Sequence, residues 1–371
     1  MGEKVLMKGN EAIAEASIRA GLKYYFGYPI TPQNEIPEYL SEHLPKRGGT
    51  FIQAESELAA INMVYGAACV GARTMTSSSS PGISLKQEGI SYLVGAQLPA
   101  VIVNIVRGGP GLGNIAPAQS DYFQATRGGG HGDYRTLVYT PASLQEAVEL
   151  TMKAFDIADE YRNPVMLMAD AIIGQMMEPV VFPEPSEKIF DKSSWTIGGP
   201  RHGRQPHIIN SLALNEGILE KRNWELKAKF DLIAAKETMV EEYLVDDADV
   251  LFVAYGSVAR ICRSVIHKVR QDGLKVGLIR PITVWPFPTA TLAKRAVRTK
   301  HFFVVEMSLG QMIEDVQLAV LSNAKVHFHG RPGGGIPDEA DLIKQLQSFW
   351  VATQDSSSFT SRKSFSKRIG E

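Results

Sequence analysis

The apolar residues of this chain switch repeatedly between two periods. From 10 to 20 they recur at three- and four-residue spacing and stop at Gly21, which predicts a helix; the short run 24–26 that follows predicts a strand. The cycle repeats as helix 35–42 and strand 51–53, helix 57–69 and strand 74–77, then helix 84–95 and the wholly apolar strand 100–106. A Gly-rich stretch, 107–133, has no period, and aperiodic loops of that length are usually functional. Strand 137–140, helix 143–161 and strand 164–170 complete the set. Alternating units of this kind predict a doubly wound, mostly parallel α/β sheet.

Between 178 and 247 the rhythm lapses. Pro183, Pro185 and Pro200, followed by a charged helical segment over 214–242, predict a linker with a bridging helix. A second α/β set then begins, with strands 250–255, 275–279, 301–306 and 325–329 and helices 258–271, 289–296, 311–322 and 337–351. The expected layout is a first domain over 1–185, a linker over 186–247, a second doubly wound domain over 248–351 and a mobile Ser-rich basic tail over 352–371. Two domains suit a chain of 371 residues, which exceeds what one core usually supports.

Composition removes several function classes. With Lys+Arg 39 against Asp+Glu 40, the net charge of -1 gives no electrostatic reason to expect nucleic acid or an anionic membrane as partner. Cys69 and Cys262 lie far apart, each inside an apolar helical pattern, so buried thiols are expected rather than a disulfide or a metal site. An iron-sulfur cluster usually takes about four thiolates, so any such cluster belongs to another polypeptide. The first residues lack a signal-peptide apolar region, Leu6 stands where a myristoylation signal needs Ser or Thr, and the apolar runs are of strand length; a cytoplasmic protein is expected.

The candidate chemistry gathers at strand ends, where open parallel sheets collect ligands. Gly27-Tyr28-Pro29-Ile30-Thr31-Pro32 is stiffened by its prolines and displays the Thr31 hydroxyl; equally, Thr31 could cap the next helix with Pro32 at its first position. Glu55 and Glu57 flank the start of the helix after strand 51–53, where a carboxylate favours the helix dipole; a buried acid sharing a proton with a ring nitrogen is the functional alternative. Thr76-Ser77-Ser78-Ser79-Ser80-Pro81-Gly82 offers hydroxyls and N–H groups to an anion or a polar ring edge, or else an N-cap. Arg107 closes an apolar strand and suits a bidentate grip on a carboxylate, unless it is a surface residue. Gly109-Pro110-Gly111-Leu112-Gly113-Asn114 departs from a dinucleotide fingerprint at Asn114, and His131 reads as a solvent-exposed loop residue.

Together with Glu55-Ser56-Glu57-Leu58-Ala59-Ala60, Arg107-Gly108-Gly109-Pro110, Gln119-Ser120-Asp121, Gly130-His131-Gly132-Asp133, Ile279-Arg280-Pro281-Ile282-Thr283 and Glu306-Met307, these motifs make the chain resemble the α-type subunit of the 2-oxoacid:ferredoxin oxidoreductases from Val5 to about Trp350. The resemblance implies a pyrimidine-binding domain of a thiamine diphosphate enzyme followed by a transketolase C-terminal-like domain. It implies that Glu57 activates the cofactor's aminopyrimidine ring, with Tyr28, Pro29, Ser78 and Ser79 beside it, and that Thr31 and Arg107 hold the keto and carboxylate groups of a 2-oxoacid. The implied reaction is oxidative decarboxylation to an acyl-coenzyme A, with electrons passing through iron-sulfur clusters to ferredoxin.

No Gly-Asp-Gly motif for a diphosphate and its magnesium occurs in the sequence. That absence, like the scarcity of cysteine, fits a split enzyme: a β-type partner binding the diphosphate, with γ-type and ferredoxin-like iron-sulfur subunits beside it. Met7-Lys8-Gly9-Asn10-Glu11-Ala12 and Gly111-Leu112-Gly113 look more like the 2-oxoisovalerate (3-methyl-2-oxobutanoate) type than the 2-oxoglutarate type. Two other readings predict different behaviour: a non-catalytic scaffold subunit, and a self-sufficient thiamine-dependent decarboxylase or transferase.

Overall fold

A computed structural model describes residues 3–198 and 206–347. The expected tail over 352–371, and the end of the helix expected over 337–351, lie outside the described residues. The first unit opens with β1 (Val5–Lys8), α1 (Gly9–Arg19), β2 (Tyr24–Gly27), α2 (Glu35–Lys46), β3 (Thr50–Gln53) and α3 (Glu57–Cys69). It continues through β4 (Thr74–Ser78), α4 (Ser80–Gly95), β5 (Ala100–Val106), α5 (Tyr122–Arg127), β6 (Leu137–Tyr139), α6 (Leu144–Tyr161), β7 (Pro164–Asp170), α7 (Ala171–Gln175) and β8 (Met177–Val180). A bridging helix, α8 (Ile218–Glu237), leads to β9 (Val240–Tyr243), β10 (Val250–Val253), α9 (Gly256–Gln271), β11 (Val276–Pro281) and β12 (Thr283–Trp285). Then come α10 (Thr289–Ala296), β13 (His301–Glu306), α11 (Met312–Val320) and β14 (Lys325–Gly330), and residues 339–347 are helical.

The expected α/β architecture with two mostly parallel sheets is what the chain adopts. The larger sheet has seven strands in the order β12-β6-β7-β5-β4-β2-β3, parallel except for β12; the smaller has five in the order β14-β13-β10-β11-β9, parallel except for β9. β5 and β7 are buried along their whole length, which explains their unbroken apolar runs. In the larger sheet β2 pairs with β3 on one side and β4 on the other, so the chain winds outward in both directions from this point. The crevice between β2 and β4 is thus the topological switch point, the place where such sheets bind ligands.

Several expectations needed correction. Helix α4 begins at Ser80, not 84, because Pro81 needs no helical N–H bond in the first turn and Gly82 packs closely enough to stay in the helix. The aperiodic stretch 107–133 holds a short helix, α5. The charged helix expected over 214–242 ends at Glu237, and Val240–Tyr243 turns into a strand whose acids meet bases on other elements: Glu241 with Arg263 and Arg280, Glu242 with Arg295. The paired strands β1 and β8, and β12, were too short to register as periods.

One core cluster runs from Met7 through the first unit and into the inner face of the second, reaching Leu251, Val253, Ile279 and Phe302. A smaller cluster around Phe252, Cys262 and Leu278 fills the outer face of the second sheet. Both cysteines are buried. Polar contacts fix the two units together: Arg280 pairs bidentately with Glu146 at 2.8 and 2.9 Å, the Asp170 carboxylate caps α7 and accepts from Ser257 N–H at 3.1 Å, and Gln119 bonds the main chain of Tyr255 and Met307. Glu306, buried at the end of β13, accepts from the first N–H groups of α11, so burial, which raises its carboxyl pKa, is opposed by hydrogen bonds from Met312 and its neighbours. Among the described residues no helix is long and apolar enough to cross a membrane.

Candidate active site at the switch point

Four strand ends meet at the crevice between β2 and β4. The first is the loop after β2. Its Thr31 is exposed, as are Tyr28 and Pro29, and α2 starts only at Glu35, so Thr31 is not the cap of that helix. The loop is held from behind. Asn10 and Gln175 both donate to the Pro32 carbonyl, at 2.8 and 2.9 Å, and both donate to the same Glu35 oxygen. Burial works to raise the pKa of Glu35, but the Asn10 and Gln175 amides and the Lys8 ammonium outweigh it and hold the carboxyl below its ordinary range.

The second end belongs to β3. Ser56 caps α3 by accepting from Ala59 N–H at 3.2 Å, a bond worth about 1 kcal/mol. That cap sets the register of the first helical residue: Glu57 turns inward and is buried, while Glu55 stays exposed. Spacing left these two acids equivalent, and burial separates them.

The third end, after β4, faces Glu57. Ser79 stands at the N-cap position of α4, yet its hydroxyl does not cap that helix; the buried hydroxyls of Thr76, Ser78 and Ser79 have no hydrogen-bond partner among the described residues. A β-carbon on Gly82 would fall 2.0 Å from the Ser78 hydroxyl and 2.6 Å from a Glu57 carboxylate oxygen, so glycine is what lets the helix and the acid approach. Behind them a buried chain runs from the Tyr25 hydroxyl through Ser77 to the Gln33 amide oxygen, at 2.7 and 2.5 Å, tying the loop after β2 to β4. Gly82→Ala is therefore expected to destabilise the full chain by about 1–3 kcal/mol. Chemical denaturation measures it, and an unchanged midpoint would mean that Glu57 and Ser78 can move aside.

The fourth end carries Arg107. It is buried, not a surface residue, and its guanidinium donates to the Thr31 carbonyl at 2.9 Å and to the Leu112 carbonyl at 3.1 Å. Its main chain is clasped by the Ser80 hydroxyl, and its buried Nε–H has no partner among the described residues. Ser80 N–H in turn donates to Asn104, whose amide donates to Asp121 at 2.9 Å; burial raises the Asp121 carboxyl pKa. The loop that supplies the Leu112 carbonyl is pinned to the second unit by Asn114, which donates to Gly333 O at 2.9 Å. His131 is exposed beside Tyr92, away from this network.

Thr31, Glu57, Ser78, Ser79 and Arg107 thus converge, with Tyr28 and Pro29 at the rim. Orphaned hydroxyls opposite a buried acid fit a flat, polar, nitrogen-bearing ring better than an apolar ligand. Arg107 adds a cation with an unused donor, suited to a carboxylate. No group of three His, Cys, Asp or Glu side chains among the described residues is placed to hold a metal ion. The residues sequence reasoning missed are those behind the front: Asn10, Gln33, Glu35, Asn104 and Gln175.

Known proteins share this organisation. Residues 15–227 match the family described as "Pyruvate flavodoxin/ferredoxin oxidoreductase, thiamine diP-bdg", and residues 248–342 match "Pyruvate:ferredoxin oxidoreductase core domain II". The chain is 48% identical to the ketoisovalerate oxidoreductase subunit VorB of Methanothermobacter thermautotrophicus over 92% of its own length and 97% of that protein's. It is 36% identical to the 2-oxoglutarate synthase subunit KorA of the same organism, over 93% and 99%. A solved structure, 2-oxoglutarate:ferredoxin oxidoreductase from Magnetococcus marinus with 2-oxoglutarate, coenzyme A and succinyl-CoA bound, superposes with a TM-score of 0.83 at 25% identity. That match covers 94% of this chain but 65% of the solved one, so the chain spans just under two thirds of that relative's length.

Proposed function

We propose a function on one premise: the chain belongs to the α-type subunits of the 2-oxoacid:ferredoxin oxidoreductases, enzymes that act on an oxo group with an iron-sulfur acceptor. Its own task is to bind and activate the pyrimidine half of thiamine diphosphate and to orient a 2-oxoacid against it. The observation that carries this reading is the buried Glu57 seated against Gly82 beside the Ser78 hydroxyl, which, like the hydroxyl of Ser79, has no hydrogen-bond partner among the described residues. Thiamine diphosphate, when bound, supplies a carbon nucleophile and an electron sink for decarboxylation.

The chain's residues do the rest. Glu57, buried beside Gly82, shares a proton with a ring nitrogen. Ser78 and Ser79 give the ring edge its hydrogen bonds, and Tyr28 and Pro29 border it. Thr31 offers its hydroxyl to the keto oxygen, and Arg107 uses its remaining donors on the carboxylate, held in aim by the carbonyls of Thr31 and Leu112.

The diphosphate and its magnesium are assigned to a β-type partner, and the iron-sulfur clusters to γ-type and ferredoxin-like subunits of a cytoplasmic complex. The sequence holds neither a Gly-Asp-Gly motif nor more than two cysteines. For substrate, 2-oxoisovalerate is supported by the 48% identity to a ketoisovalerate oxidoreductase subunit against 36% to a 2-oxoglutarate synthase subunit. The test is reconstitution with the partner chains and viologen-dye reduction on a panel of 2-oxoisovalerate, 2-oxoglutarate and pyruvate. The chain alone is expected to be inactive, and the complex to need coenzyme A and to give its highest kcat/KM with 2-oxoisovalerate. Turnover by the isolated chain would overturn the split site; preference for 2-oxoglutarate would overturn the substrate.

A further inference from the structure

Lys86 is fully buried, and neither the fold nor the site described so far uses it. Its ammonium donates to the Ser77 carbonyl at 2.9 Å, and among the described residues that is its one hydrogen bond. An ammonium satisfied only by one carbonyl, out of reach of water, needs a second source of stabilisation. The helix supplies the direction. Lys86 lies one turn after Gly82 on α4, so the two share a face, and Gly82 is the residue whose β-carbon would touch the Glu57 carboxylate. The ammonium and the carboxylate therefore stand behind the same stretch of pocket wall.

Two groups act on Lys86 directly: the Ser77 carbonyl of β4, which accepts from it, and the Glu57 carboxylate of α3, which acts on its charge. The neutral Tyr25 hydroxyl of β2 and the Gln33 amide of the loop before α2 meet the hydroxyl of the same Ser77. Burial pushes the Lys86 ammonium down to about 7, and Glu57, the one charged group acting on it, works in the opposite direction.

We propose that Lys86 is a positioning residue for Glu57: a buried countercharge, hung from the Ser77 carbonyl, that biases the proton shared between Glu57 and the cofactor ring toward the ring. The inference rests on the reading of Glu57 given above. Below about 7, where Lys86 carries its proton, an anion facing that cation holds a proton less tightly than one facing apolar walls alone, so the ring nitrogen keeps the larger share. The Ser77 tether also ties the cation to the Ser-rich segment that borders the same ring.

The coupling is testable on the full chain without cofactor. Between about 7 and the ordinary lysine value of 10.5 the unfolded chain binds a proton at Lys86 that the folded chain does not, so stability rises with pH across that window. Thermal unfolding should show this rise in the wild type, and Lys86→Met should lose the share due to Lys86 while keeping that of Lys229, which burial and the neighbouring Arg162 also push down to about 7. In Glu57→Gln the ammonium has lost its countercharge, and the rise should extend below pH 7. A Glu57→Gln slope that matches wild type below pH 7 overturns the coupling.

The second readout is thiamine diphosphate binding to the assembled complex, followed against pH and by near-ultraviolet circular dichroism of the bound pyrimidine. Lys86→Met and Lys86→Gln should both move the acidic limit of binding upward by about one pH unit or more. Glutamine keeps a donor for Ser77 without the charge. If Lys86→Gln binds like wild type, Lys86 is a tether only and the inference fails; should the methionine variant not fold, the glutamine variant carries the same comparison. Lys86→Met added to Glu57→Gln should change the binding profile no further, and an additional shift overturns the inference. Unchanged binding and dichroism in Glu57→Gln alone would instead sink the assignment of Glu57 itself.

Discussion

Glu57→Gln is expected to lower kcat of the assembled complex by about 10²- to 10⁴-fold, the range for a positioned acid-base group, while leaving assembly intact. Glutamine keeps the shape and cannot pass a proton. The Ser56 cap is unaffected, glutamine fills the same buried space, and Lys86, left without its countercharge, can release its proton rather than stay charged, so the fold should survive. Glu55→Gln is the matched control: its side chain is exposed one position before the cap, and little change is expected. Steady-state dye reduction, with gel filtration of the same preparations, distinguishes the outcomes. Full turnover by Glu57→Gln would favour a scaffold subunit over a catalytic one.

Arg107→Met should lower kcat/KM for the 2-oxoacid by about 10²- to 10³-fold, corresponding to about 3–4 kcal/mol of lost transition-state binding. Arg107→Lys should recover little. The guanidinium already spends two donors on the Thr31 and Leu112 carbonyls and still has others to present, and an ammonium cannot hold two loops and a planar carboxylate at once. The Michaelis constant for coenzyme A should stay within about twofold, since it reports a different part of the reaction. A lysine variant with wild-type kcat/KM would remove the fork geometry from the explanation; equal losses toward both substrates would point to collapse of the loops instead.

The parts of the fold that announce themselves locally were legible. Buried throughout, β5 reads as a strand of mostly apolar residues, and α1 and α6, though buried on most sides, keep apolar residues at helical spacing over their length. What escaped depends on pairing across long sequence distances. β9 and β12 are three or four residues long and exist because β11 and β6 receive them. Glu55 and Glu57 could not be told apart by spacing, since either carboxylate suits a helix start; the register set by Ser56 decides which is buried. Arg107 was expected at the ligand edge, but its partners, Thr31 and Leu112, come from two different loops.

Lys86 is the instructive omission. Ile83, Ile90 and Lys86 fall at helical spacing on the buried face of α4, so a charge interrupts an apolar stripe in plain view. A cation at a core position costs stability unless something repays it, and that alone marks it for attention.

The strand β12 has a further implication for how this chain can be divided. It belongs by sequence to the second unit but forms the outer edge of the first unit's sheet, where it covers β6, whose three residues are all buried. A gene cut between the two units would strip that cover and leave an apolar strand with unpaired N–H and C=O groups, a template for aggregation. The boundary between the two units is therefore a poor place to divide the chain, and swapping the second unit between relatives would exchange the hem of the first along with it.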